Sequence, residues 1–408
     1  MKTADPELMR AINRFHVMDA IRRFGPVSRV EISERTELSP TTVSAITAAL
    51  LDDKLIATLQ LGAVRDASRG RPRVMLRLNP DAARVVGVKL APDLITVAVT
   101  DFCAEVITRL SLPIRIHRQT PAVIADLVED GVRRCVSDAE LEMKDIAGLC
   151  VGLPGVVANL TGVCRQSPIF SERDVRFGEL LARRLGVAVA IDSDVNLVAL
   201  AEHWFGQGRE LNDFLVVSVE RSLGLGILHK GELFRGANGL SPDLGDLMVF
   251  GPAAARARLG DLATEDCVLA EVDGAAAESE GYARERALAQ AIQRAERGEA
   301  KSARALAAAG EALGFAIANL ITLFAPPKVL ISGRALVASE TLMAALKRAV
   351  AALLPPSLAD VTDVVVREWS DDIWVRGAAA MTLRELYGAS WGTTGPAPRA
   401  RAETLEET

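Results

Sequence analysis

From about residue 84 this 408-residue chain changes from a helical rhythm to an alternation of apolar strands and amphipathic helices, and the alternation runs through twice. RVVGVKL, LITVAVT and EVITRLSLPIRI read as three strands of a meander, 121 to 138 as a helix, and IAGLCVGLPG as a buried strand ending in a glycine turn. The order then recurs in VAVAIDSD, a helix at 195 to 204, FLVVSVE, LGLGILHKG, a long Ala-rich helical stretch near 284 to 324, KVLIS, VTDVVVRE and a last helix at 374 to 387. Such a pattern has to bury two sheets under helices, so the expected class is α/β with two mixed lobes. We place these at about 81–190 and 191–370, with the last helix packing back and 388–408 as a frayed tail.

The segment ahead of them, 1–80, reads as three short helices and a hairpin. Ile12, Phe15, Val17, Met18, Ile21 and Phe24 follow a helical period that stops at Gly25-Pro26. Ser28 with Glu31 forms a capping box for a second helix. Ser39 is a good N-cap, and Pro40 fits the first position of a third helix at about 40 to 52. At 100° per residue, Val43, Ile46 and Leu50 share one face of this helix, while Thr41, Ser44, Ala45 and Ala48 share the other. No charge stands between Leu38 and Leu51. A small, hydroxylated, uncharged face suits a helix pressed into a major groove, and the alternative is a neutral helix packed on the second domain. Leu55 to Leu61 and Arg73 to Leu78 then read as two strands around a tip carrying Arg65, Arg69 and Arg71 with the adjoining Arg73, a stiff basic wing for phosphates or a narrow minor groove.

Charge divides the same way. Residues 1–80 hold 13 basic and 9 acidic side chains, and the remainder 34 against 44, so a basic head precedes an acidic body. With half the residues apolar and a quarter charged, long disorder, collagen and coiled coil are poor descriptions. No run approaches the roughly 18 uncharged apolar residues of a membrane span. The opening MKTADPELMRAINRF is unlike a secretory signal, so the expected address is the cytoplasm with no membrane partner. The five cysteines, 103, 135, 150, 164 and 267, include no CxxC pair and read as reduced core thiols. His16, His117, His203 and His229 lack metal spacing and read as surface or packing residues.

Taken together, the motifs resemble those of the ROK family (repressors, open reading frames, kinases) and its xylose-repressor-like and N-acetylglucosamine-repressor-like regulators. The head carries NRFHVMDAIRRFGPVSRVEISERTELSPTTVSAITAALLDDKLI and SRGRPRVMLRLNP, similar to a winged helix-turn-helix with a Gly-Arg-Pro wing. The body carries VGVKLAPDLITVAVTDF, VGLPGVV, IDSDVNLVALAEHWFGQGR, LGLGILHKGELFRGANGLSPDLGDL and VRGAAAMTL in family order. The resemblance implies a DNA-binding head followed by a two-lobed, actin-like, sugar-kinase-like body whose cleft binds a sugar or derivative.

Where the chain departs from that pattern, it departs at the phosphates. The family's Asp-x-Gly-x-Thr loop is matched by Lys89-Leu90-Ala91-Pro92-Asp93, its Gly-Thr-Gly loop by Glu220-Arg221-Ser222, and a Gly-Gly near the last lobe by Ser332-Gly333-Arg334. Asp194 stands in the place of the catalytic base, but a base without a held phosphoryl donor does little, so no catalytic residue and no cofactor are expected. The family's Asn-Asp is Ser193-Asp194 here, and its Glu-x-Gly-His is Asp243-Leu244-Gly245-Asp246. With that histidine gone and Cys267 alone after Gly251, no zinc site is expected. The expected effector-binding residues are Ser193, Asp194, Asn238, Asp243 and Asp246, although two of the aspartates could simply cap loops. Asn196 is given a structural role. The expected DNA-binding residues are Ser39, Thr41, Thr42, Ser44, Arg69, Arg71 and Arg73. The implied protein is a regulator of carbohydrate genes, a homodimer or homotetramer on double-stranded operator DNA. Its rivals are an ATP-dependent sugar kinase with an appended head and a DNA-architectural protein with an inert body.

Overall fold

The computed structural model describes residues 6–59, 74–241, 243–250, 256–274, 281–368 and 372–387. In the head, α1 (Pro6–Phe24) stops at the Gly25-Pro26 breakers. After the two-residue β1 (Val27–Ser28), Ser28 caps α2 (Arg29–Thr36), and the Glu31 carboxylate accepts from the Ser28 N–H at 2.8 Å in return. Ser39 caps α3 (Pro40–Asp52), with Pro40 in its first turn. The hairpin strands β2 (Ile56–Leu59) and β3 (Met75–Leu78) pair antiparallel, and β3 also pairs with β1, a strand too short to leave a sequence signal. The wing tip, with Arg65, Arg69, Arg71 and Arg73, lies outside the described residues. On α3, Val43 and Leu50 are buried, but Thr47 rather than the half-buried Ile46 completes the inner face. Its hydroxyl accepts from Arg29 Nε at 2.8 Å and donates to the Ser44 carbonyl at 3.2 Å, which satisfies it in the core.

The first lobe is built from β4 (Arg84–Ala91), β5 (Leu94–Thr100), β6 (Val106–Leu112), α4 (Pro121–Asp138), β7 (Ile146–Leu153), the hairpin β8 (Val156–Ala158) and β9 (Val163–Gln166), α5 (Phe177–Leu185) and β10 (Val189–Ser193). Helix α6 (Asp194–Phe205) leads into the second lobe, which holds β11 (Phe214–Val219), β12 (Leu223–His229), β13 (Glu232–Leu233), β14 (Met248–Phe250), β15 (Arg256–Arg258), α7 (Gly260–Ala263), α8 (Glu265–Val272), α9 (Gly281–Glu296), α10 (Ala300–Phe324), β16 (Lys328–Ser332), α11 (Arg334–Ala338), α12 (Glu340–Leu353) and β17 (Asp363–Val366). The main sheets run β6-β5-β4-β7-β10 and β13-β12-β11-β16-β17. In each, the first three strands form an antiparallel meander and the last two are added in parallel, so one topology occurs twice.

The Ala-rich stretch is two helices rather than one. Gly298, at φ 89°, makes a left-handed turn between α9 and α10 that a continuous helix cannot pass. By length and composition alone α10 could cross a membrane, but it is mostly buried and its apolar residues pack chiefly on α12. The last helix, α13 (Asp372–Leu386), returns to the first lobe and lies on β4, β7 and α6.

The α6–α13 contact is close enough to be tested by one methyl group. A Cβ on Gly377 would stand 2.0 Å from the Leu197 carbonyl oxygen, backbone against backbone. Gly377→Ala is expected to destabilise the fold by about 3 kcal/mol, because overpacking of this kind outweighs the roughly 1 kcal/mol that alanine gains in a helix. An unchanged midpoint in urea would show that the two helices are not in this register.

Candidate functional site

The head presents the outer face of α3. Thr41, Ser44, Ala45 and Ala48 are exposed. Ser39 Oγ accepts from the Thr42 N–H at 3.1 Å and lies 2.8 Å from Thr42 Oγ1, so these two hydroxyls build the helix start while remaining at its accessible end. The face carries donors, acceptors and methyl groups and no charge, a chemistry suited to base edges and to neutral hydrogen bonds with phosphate oxygens.

Between the lobes lies a cleft of about 480 Å³. Ser193 and Asp194, at the junction of β10 and α6, meet Ser222, Leu223 and Gly224 at the start of β12, with Asp243 beside them. The facing wall includes Gly155, Gln166, Ser167 and Phe170, and His117, Arg118, Glu172 and Arg173 also line the cleft. Of the residues expected from sequence, Ser193, Asp194 and Asp243 come together here. Asn238 and Asp246 are not in this lining: Asn238 is exposed between Gly236 and Gly239, and Asp246 is exposed in an ion pair with Arg258 at 2.5 Å. His117, read from sequence as a surface or packing residue, lines the cleft.

Burial pushes the Asp194 carboxyl up to about 6; the Lys89 ammonium opposes this and Glu220 adds to it. Its Oδ1 accepts from the Val195 N–H at 2.8 Å. Burial also raises Asp243, against a hydrogen bond from the Gly245 N–H at 2.9 Å. Asp243 does cap a loop, as its alternative role required, while still facing the cleft. Lys89, where a phosphate loop would open, rests its ammonium 3.4 Å from the centroid of the Trp374 ring.

Sequence reasoning missed Asp192. It is fully buried, and it accepts from the Ser193 N–H at 2.7 Å, from Asn196 Nδ2 at 2.8 Å and from Arg235 Nε at 3.0 Å and Nη2 at 2.5 Å. Asn196 Nδ2 also reaches Ser241 Oγ at 2.9 Å. Asn196 is therefore a joint between the cleft floor and the loop opposite. The only sequence signal of this hub was an aspartate at the end of an apolar strand. Behind Ser222, Arg284 is buried against Glu265 at 3.1 Å and Asp266, Arg221 approaches Asp266 at 3.6 Å, and Arg334 pairs with Glu285. Charged side chains thus pack where the resemblance placed nucleotide-binding glycines. Among the described residues no group of three or more His, Cys, Asp and Glu could hold a metal ion.

Residues 85–385 match the model of the ROK family. The chain is 26% identical to the xylose repressor of Caldicellulosiruptor bescii over 80% of its own length and 84% of that protein. It is 25% identical to the DNA-binding transcriptional dual regulator NagC of Escherichia coli K12, over 84% and 85%. Among solved structures, a ROK family transcriptional regulator homologous to the E. coli Mlc protein superposes with a TM-score of 0.76 at 24% identity, over 93% of this chain and 97% of that one. A ROK family glucokinase from Streptomyces griseus, in complex with glucose and AMPPNP, superposes at 0.59 and 18% identity, over 73% and 99%. The extra coverage of the regulator is the length of the head.

Proposed function

This chain belongs to the ROK family, and from that premise we propose that it is a DNA-binding transcriptional regulator, a repressor of carbohydrate-metabolism genes controlled by a sugar or sugar derivative in the interlobe cleft. Residues 1–80 form the DNA-binding domain and 81–387 the effector-binding domain. The observation that carries the reading is the pairing of an exposed, uncharged, hydroxylated α3 with a cleft that keeps Asp194 while charged side chains fill the phosphate side. Acceptors at Asp194, Asp243, Ser193 and Gln166 favour a ligand rich in hydroxyl donors. The relatives named for xylose and N-acetylglucosamine regulation support a carbohydrate. The protein works in the cytoplasm as a homodimer or homotetramer, two heads reading half-sites about one helical turn apart.

The test is selection of a duplex from random DNA by the full chain, followed by titration of that duplex with and without a panel of sugars. Arg71→Ala is expected to weaken binding to every selected sequence and to reduce the slope of log K against log salt by about 0.9, the contribution of one phosphate contact. If Arg71 reads a narrow A·T minor groove instead, the loss is larger for A·T-flanked sites. Failure of the chain to select any sequence would sink the reading.

A further inference from the structure

We infer that helix α6 is the mechanical link between cleft and head, with Trp204 and His203 at its far end holding Arg22 and Arg23 of α1. This rests on the regulator reading for its purpose, but its geometry stands apart from it. The helix begins at Asp194 in the cleft wall, and every residue from Val195 to Trp204 is buried. Twelve residues at 1.5 Å each carry it about 18 Å.

At its far end the Arg22 guanidinium lies 4.2 Å from the centroid of the Trp204 ring and donates to the Trp204 carbonyl at 3.2 Å. The Trp204 ring stacks on Tyr387 at 5.4 Å, nearly parallel. Arg22 is held from its other side by Asp19 at 2.6 Å, and its side chain is 3% exposed. His203 Nδ1 lies 3.1 Å from the Leu211 carbonyl, which assigns the proton to Nδ1 and leaves Nε2 to accept from Arg23 at 2.9 Å. A cation sandwiched in this way, desolvated and satisfied from both chain segments, fixes the orientation of α1 on the body.

Between its ends α6 has no slack. A hypothetical Cβ atom on Gly224 of the second lobe would meet Ser218 Oγ of the neighbouring strand first and then Val195 Cβ at 2.8 Å, and one on Gly226 would meet the Ala199 methyl at 2.9 Å. One on Gly152 of the first lobe would meet Leu197 Cδ1 at 2.5 Å, and Gly377 abuts the Leu197 backbone. Both lobes therefore bear on the helix directly. Close-packed interiors transmit displacement rather than absorb it. A change in lobe closure around a ligand must move α6, and α6 cannot move without repacking the Arg22–Trp204 contact. The link is the helix, and the residues that set its sensitivity are Arg22, Arg23, His203 and Trp204.

The test is hydrogen exchange of the full chain, read on the α1 peptide 10–24. Gly224→Ala crowds Ser218 Oγ, the end of a rotatable side chain, and pushes on Val195 Cβ at the cleft end of α6, and it is expected to shift α1 exchange about tenfold. Gly274→Ala, at a position with open space around it, leaves α1 unchanged. Arg22→Met keeps the stem but removes the cation; it should speed α1 exchange by itself, and adding Gly224→Ala to it should produce no further change. If Gly224→Ala does not fold, Val195→Ile loads the same contact from the helix side and is read identically. An α1 rate within threefold of the parent in the folded variant, or effects of the two substitutions that multiply, overturns the link. The measurement uses neither DNA nor sugar, so its failure leaves the regulator reading standing, and failure of DNA selection leaves the link standing.

Discussion

Asp194→Ala is expected to leave operator binding intact while removing the influence of the sugar on it, with sugar affinity falling at least about 100-fold. A carboxylate accepting from two hydroxyls contributes charge-assisted bonds of about 1.5 kcal/mol or more each, and about 3 kcal/mol is more than a hundredfold. The same substitution should not cost stability. The Asp194 carboxyl is raised from 3.8 to about 6, so the folded state binds its proton more tightly than the unfolded chain does. Stability therefore falls as pH rises from about 4 to about 6, and above that window the ionised group costs on the order of 3 kcal/mol. Asp194→Ala should accordingly melt at or above the parent temperature at pH 8 and lose that advantage below pH 4. Sugar affinity in the parent should rise with pH up to about 6 and then level, whereas Asp194→Asn should show no such slope. Calorimetric titration of the sugar across pH 5 to 8, with melting curves of all three proteins, reads both effects. A parent-like response to sugar in Asp194→Ala would place the effector site elsewhere.

What the sequence disclosed about this fold was short-range. The Ser28–Glu31 capping box, the Ser39-Pro40 start of α3 and the stop at Gly25-Pro26 each involve a few consecutive residues and ordinary backbone hydrogen bonding, and each stands in the structure. The doubled order of strands and helices was also legible, because half-buried strands and amphipathic helices announce themselves by period. The helices α5 and α12 and the β8–β9 hairpin went unread, although α5 carries an apolar stripe at Phe177, Leu181 and Leu185 with arginines between. The strand that follows it, β10, was the stronger signal.

The site was most legible where one segment carries it, with Asp243 the one expected residue to join it from another. Ser193 and Asp194 sit together in the chain, and they sit together in the cleft. Asp246 followed the same reasoning from Asp243, yet a 3-10 turn over Leu244–Asp246 separates the two, leaving Asp246 with Arg258 in solvent. Partnerships across the chain left no local mark. Arg22 and Trp204 are 182 residues apart, Asp192 and Arg235 are 43 apart, and nothing in either neighbourhood distinguishes a buried charge with a partner from an exposed one without. Thr47 shows the same limit on a smaller scale. A hydroxyl on the inner face of α3 contradicts the apolar wheel until Arg29 is seen to reach it.

The chain is expected to transfer no phosphate from ATP to hexoses, pentoses or amino sugars, where a working kinase turns over at roughly 1–100 per second. Loss of glycines alone would be a weak argument, since loops can re-form around a nucleotide. The structure supplies a stronger one: the vacated side is filled. Glu265, 4% exposed, is paired with the buried Arg284, and burial raises its carboxyl against the pull of that arginine. Glu220 adds a further negative charge that acts on both Glu265 and Asp194. A triphosphate entering here would have to displace a buried ion pair and approach two carboxylates, and breaking a buried pair costs about 3–5 kcal/mol before any contact to phosphate is gained. The counterpart of the phosphate-loop aspartate is Lys89, whose ammonium is committed to the Trp374 ring and to the field of Asp194. Restoring small residues by Glu220→Gly with Arg334→Gly should therefore leave turnover at background, because Glu265 and Arg284 remain. A coupled assay of the parent and this double variant with ATP, magnesium and a sugar panel makes the comparison. Turnover in the parent that disappears in Asp194→Asn would overturn the reading of this cleft as a sensor and restore it as an active site.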